Sequence, residues 1–106
     1  MGDSRLDFLK EALARNPDDT FARYALALEL SKTRPDDAWS HFEYLLTRHP
    51  DYAATYYQAG MLLLKQGRRE EAEKIFAQGV EVTGRQGNRH AQSELQAALE
   101  ELREDA

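Results

Sequence analysis

Residues 17–32, PDDTFARYALALELSK, and residues 50–65, PDYAATYYQAGMLLLK, are two versions of one pattern. Pro17 and Pro50, Asp18 and Asp51, Tyr24 and Tyr57, Leu30 and Leu63, and Lys32 and Lys65 coincide at an offset of 33. The segments that follow, AWSHF and AEKIF, place Ala38 opposite Ala72 and Phe42 opposite Phe76, an offset of 34. One residue is therefore missing from TRPDD relative to QGRREE, and such a deletion is tolerable only in a turn.

Each copy reads as two helices around that turn. Ala22, Leu26, Ala27 and Leu30 share one face of residues 20–32, and Ala38, Phe42, Leu45 and Leu46 recur at helical spacing over residues 36–48. Pro35 suits a first helical turn, where Asp36 and Asp37, like Glu70 and Glu71 in the second copy, complement the helix dipole. Asp18 and Asp51, just after their prolines, are expected to cap the helices that follow. These acidic residues read as caps rather than as catalytic carboxylates.

Composition sets the outer limits. With 106 residues the chain is expected to form one domain, 1–106, near the size that buries about two-thirds of its unfolded surface. Abundant Ala, Leu, Glu, Arg and Gln favour helix over strand. The absence of Cys excludes disulfides and thiolate ligands. Fourteen basic against nineteen acidic side chains give a net charge of −5, which argues against nucleic acid or an anionic membrane as partner. Residues 1–16 lack the basic start and apolar run of a secretory signal, no segment approaches transmembrane length, and Leu6 stands where acylation at Gly2 would need Ser or Thr. A cytoplasmic location is the expectation.

The repeats resemble the tetratricopeptide repeat, a helix-turn-helix unit of 34 residues with small side chains where its paired helices touch. Tyr56, Ala59, Gly60 and Leu63, then Ala72 and Phe76, stand at the family's positions in the second copy; Arg23, Leu26, Ala27 and Leu30, then Ala38, Phe42 and Pro50, stand there in the first. Arg23 departs from the usual aromatic, Gly79 from the usual Ala, and Gly84 from the repeat-ending Pro. The resemblance implies an all-α, α-α superhelix of about six helices, with repeats over 18–50 and 51–84. Residues 4–16 resemble the second half of a preceding repeat, with Leu9, Ala12 and Leu13 inward. Residues 88–103 resemble a capping helix, apolar at Leu95, Ala98, Leu99 and Leu102 and polar at Glu94, Glu100, Glu101 and Arg103. The whole chain is similar to small bacterial single-domain proteins of this family, a likeness that implies no known activity.

Candidate chemistry is thin. His41, His49 and His90 are not spaced to share a zinc ion, and no serine sits in a nucleophile elbow. No cofactor, metal or catalytic residue is expected. Gly84 and Gly87 within TGRQGNRH supply a helix stop and a connection rather than a nucleic-acid-binding G-x-x-G loop, because no flanking strands are evident. Trp39 reads as inter-helix packing.

What remains is a surplus of apolar residues on residues 52–67, YAATYYQAGMLLLKQG. At about 100° per residue, Tyr56, Ala59, Gly60 and Leu63 form one stripe, and Tyr57, Met61 and Leu64 form another with no evident partner in the chain. Its counterparts in the first copy are Tyr24, Leu28 and Ser31, with Phe21 opposite Ala54. The resemblance implies that first helices line a concave surface, so Phe21, Tyr24, Leu28, Tyr57, Met61 and Leu64 are expected to form a protein-binding ledge there. Lys32 and Lys65 stand at its end, either to receive a carboxylate or to complement their helix dipoles. Tyr24 and Leu28 stand where relatives that bind chaperone tails carry a polar clamp, so that mode is not expected. A non-enzymatic protein-interaction module is the leading function; a weak homodimer using the same stripe or the last helix is the alternative.

Overall fold

A computed structural model describes residues 3–105; Gly2, considered above for acylation, lies outside them. Among the described residues there are six α-helices and no strand: α1 Asp3–Arg15, α2 Thr20–Ser31, α3 Pro35–Arg48, α4 Ala54–Lys65, α5 Arg69–Gln86 and α6 Arg89–Glu104. The chain divides into two compact units, one ending at His49 and the other beginning at Pro50.

In the first unit α2 packs on both α1 and α3. The expected face of α2, Ala22, Leu26, Ala27 and Leu30, is buried together with Ala25, and α3 contributes Ala38, Phe42 and Leu45. On α1 Leu9 is buried, and Ala12 and Leu13 are half-covered. Trp39 is half-buried on α3. In the second unit α5 packs on α4 and α6, and α4 also touches α6. Tyr56, Ala59 and Leu63 of α4 and Ala72 and Phe76 of α5 have no exposed surface.

The two connections, residues 32–34 and 66–68, are equally long, so the extra residue of the second copy is taken up at the end of α4, which runs two residues past Leu63 where α2 runs one past Leu30, and not in the turn as expected. Pro35 is the first residue of α3, and the turn before it runs directly from α2. The second turn contains Gly67 at φ 76°, a left-handed conformation that favours glycine. Arg68 N–H reaches past it to Leu63 C=O at 2.9 Å, and Gly67 N–H bonds Leu64 C=O at 3.0 Å. In the first turn Arg34 N–H closes on Leu30 C=O at 2.7 Å, four residues back instead of five. Thereafter both copies continue alike: Arg34 pairs with Asp37 at 2.8 Å and Arg68 with Glu71 at 2.6 Å. The Arg68 hydrogen bond holds the Glu71 carboxyl below its usual pKa.

Arg23 shows how an atypical residue keeps the repeat intact. In the second copy the Tyr56 hydroxyl donates to the Pro50 carbonyl, and burial raises the Tyr56 pKa, keeping the donor protonated. In the first copy the Arg23 guanidinium makes the corresponding contact, Nη2 donating to Pro17 O at 2.6 Å. Its carbon lies 3.7 Å from the Tyr44 ring centroid, a stacked cation–π contact. Nη1 meets His41 Nδ1 at 3.1 Å. Because guanidinium only donates, Nδ1 must accept, which places the neutral ring's proton on Nε2. Burial first, and then the Arg23 charge, lowers the His41 pKa.

Two expectations about helix ends are corrected. Asp19, not Asp18, caps α2 by accepting from Ala22 N at 3.0 Å, because the helix starts one residue later than the proline spacing suggested. Asp18 instead receives His49 Nε2 at 2.7 Å and the Tyr44 hydroxyl at 3.3 Å, tying the start of α2 to the end of α3. The His49 bond lowers the Asp18 pKa. Asp51 caps nothing either: the turn continues to Ala53, and α4 begins without a side-chain cap. Of the two glycines expected to stop α5, only Gly87 does so, at φ 69°; the helix runs through Gly84 to Gln86.

Small residues mark the closest approaches in the second unit. A Cβ on Gly60 would stand 2.7 Å from Cδ1 and Cζ of Phe76, and closer still to Cε1. At Gly79, where the family usually has Ala, a Cβ would lie 2.6 Å from Tyr56 Cβ and 2.9 Å from Leu95 Cδ1. Gly79→Ala is therefore expected to destabilise this protein even though it moves toward the family pattern. Alanine gains about 1 kcal/mol of helix propensity, but overpacking costs about 1 to 3 kcal/mol, and Tyr56 Cβ cannot move without its backbone. Denaturant titration checks the sign; a more stable variant would show that α4 and α5 can separate at little cost.

Candidate functional site

The second stripe of α4 has a neighbour after all. Tyr57, Met61 and Leu64 form one wall of a groove of about 450 Å³, and α6 supplies the facing wall with Ala97, Ala98 and Leu102. This corrects the expectation that the stripe lacks an intramolecular partner. The α6 cap brings its small residues opposite α4, so the two helices leave a channel instead of a closed seam. Tyr57 and Met61 each remain 37% exposed, while Leu64 is half-buried.

Packing fixes the groove from below. Gly60 admits the Phe76 ring against α4, and the Tyr57 ring lies 6.3 Å from that ring, tilted by 42°. Tyr57 is thus supported on one side and open on the other. Leu95, Leu99 and Leu102 anchor α6, whose start is capped by Asn88 accepting from Ala91 N at 3.2 Å. At the other end Arg69, on the first turn of α5, donates from Nη2 to Leu102 O at 2.9 Å, and Arg103 pairs with Glu73 at 2.8 Å. Glu94, Glu101 and Asp105 complete the lining, with Arg69 the basic residue among them.

The other expected site residues fall differently. Lys65 ends α4, is exposed and does not line the groove. In the first unit Phe21 is 67% exposed, Tyr24 is half-buried with its ring edge-on to Phe42 at 6.5 Å between centroids, and Leu28 is half-buried. Lys32 caps the end of α2 and pairs with Glu29 at 3.6 Å, so part of its charge is already answered within its own helix. The acidic lining of the groove was missed, since Glu94 and Glu101 were assigned only to the water-facing side of the cap. Their signal was their spacing, which with Ala98 between them makes a flank beside the Leu95, Leu99 and Leu102 face.

Among the described residues no group of three or more His, Asp or Glu is placed to hold a metal ion, and no helix is long and apolar enough to cross a membrane. A family model for the tetratricopeptide repeat matches residues 29–99. The chain belongs to the tetratricopeptide repeat family. It is 40% identical to a tetratricopeptide repeat domain protein from Salinibacter ruber solved by NMR, over 82% of this chain and 89% of that one, with a TM-score of 0.79. A crystal structure of a tetratricopeptide repeat domain protein from the same organism gives 40% identity over 80% and 97% of the two chains and a TM-score of 0.76. The solution structure of a Bordetella parapertussis protein is 25% identical over 94% and 88%, with a TM-score of 0.81. No curated protein matches the chain. Tetratricopeptide repeats form a non-catalytic fold that generally serves to bind protein partners, and this chain shares the fold.

Proposed function

We propose that the protein is a non-enzymatic, cytoplasmic interaction module that takes a peptide or helix with apolar anchors into the α4–α6 groove. The partial exposure of Tyr57 and Met61 above a buried core, on a channel large enough for side chains, carries this reading. Phe21, Tyr24, Leu28 and Lys32 are proposed as further contacts in the first unit and Lys65 as a peripheral one in the second. Self-association is the second reading, favoured by Phe8 and Phe21, which are 68% and 67% exposed.

Tyr57→Ala and Met61→Ser, made separately, are expected to cost clearly less folding stability than truncation of a core phenylalanine, because each side chain packs on one side and keeps an open face on the other. Both should weaken capture of a partner, since a few aromatic anchors often dominate an interface. Sedimentation over a concentration series distinguishes the two readings: dissociation of a dimer by either substitution favours self-association. If Tyr57→Ala is as damaging to stability as truncation of a core phenylalanine, Tyr57 is core and the proposal fails.

A further inference from the structure

The groove has apolar residues on both walls and acidic residues added on the α6 side. Glu94 and Glu101 of α6 line it, with Asp105 just past the end of that helix. Along a helix their Cα positions span about 16 Å, with about 10 Å between the first two. The cation in the lining, Arg69, is engaged with the Leu102 carbonyl. Glu94 has His90 at 3.7 Å, an exposed imidazole. The Leu102 carbonyl orients Arg69 without neutralising it, so the lining sets three acidic residues against one guanidinium, and a ligand that covered Tyr57 and Met61 would meet a net acidic margin.

Resting on the interaction-module reading, we infer that the occupant is a cationic peptide segment with apolar anchors flanked by Lys or Arg. Two basic residues about 10 Å apart would meet Glu94 and Glu101, a separation of seven residues on a helix or about three on an extended strand. An acidic tail would place like charges together. A second copy of this chain would bring a net charge of −5 to an acidic rim, which disfavours it as occupant. Charge at a partly exposed rim mainly selects and steers the ligand, while the anchors hold it.

The test uses three fluorescent peptides of about 12 residues, long enough to cross the groove as a helix. They share Leu and Phe anchors and carry Lys, Ser or Glu at the remaining positions. The Lys peptide should bind roughly tenfold tighter than the Ser peptide at low salt, with the Glu peptide weakest, and the difference should shrink at high salt. E94Q combined with E101Q should remove most of the Lys preference, whereas E11Q combined with E43Q, an exposed acidic pair in the first unit, should leave it. If the three peptides bind equally, or both double variants behave alike, the charge inference falls; loss of binding in Tyr57→Ala would then still support the groove. If no peptide binds, both readings fall. A dimer dissociated by E94Q with E101Q would assign the groove to a second copy and overturn the inference.

Discussion

Phe76→Ala is expected to remove about 3 to 5 kcal/mol of folding stability, much of what a domain of this size has in reserve. The ring has no exposed surface and fills the space that Gly60 leaves beside α4, so its removal opens a cavity at the centre of the second unit. The cost combines lost burial with incomplete collapse around the void. Gly60→Ala alone should be destabilising, because its Cβ would overlap the ring. In the Phe76→Ala background the same methyl group enters empty space and adds about 1 kcal/mol of helix propensity, so it should recover part of the loss. A double-mutant cycle in denaturant measures that coupling. Additive effects, or a Phe76→Ala cost near 1 kcal/mol, would show that the pair is not in direct contact.

Ending the chain after Gly87 is expected to abolish cooperative unfolding of the second unit. The truncation removes Leu95, Leu99 and Leu102, three buried side chains each contributing about 1.5 to 3 kcal/mol by burial. It also uncovers the surfaces of α4 and α5 against which they pack. Gly79, which Leu95 now covers, would be opened to water. The shortened protein should bind a hydrophobic dye, lose solubility and show a broadened or absent transition by circular dichroism. An unchanged melting curve would make α6 peripheral and remove one wall of the groove from any functional account.

The parts of this structure legible in advance are those whose causes are local or repeated. The turn in TRPDD could be placed because a missing residue leaves a step in the alignment of the two copies, and Phe42 and Phe76 identified their helix faces because each recurs beside an alanine. Residues whose roles depend on distant neighbours were not legible. Asp18 and Asp19 are chemically identical candidates for a cap; His49 and Tyr44, from the far end of the unit's sequence, decide that Asp18 serves elsewhere. The leucines of α6 revealed its core side, but its rotation relative to α4 depends on Gly87 and Asn88 and on contacts at Gly79. That rotation turns Glu94 and Glu101 toward the groove. Thr55 and Leu62 are also buried, giving α4 a further covered line beyond the two stripes visible in sequence.

The single tryptophan, Trp39, lies on α3 in the first unit, whereas the groove, α6 and the Phe76 core all lie in the second. Indole emission is thus a built-in optical reporter for one half of the molecule, while the helical circular dichroism signal sums both halves. Recording the two signals on the same sample through a denaturation ramp gives a label-free measure of how tightly the halves melt together, and any lag between them reads out independent unfolding without a single added probe.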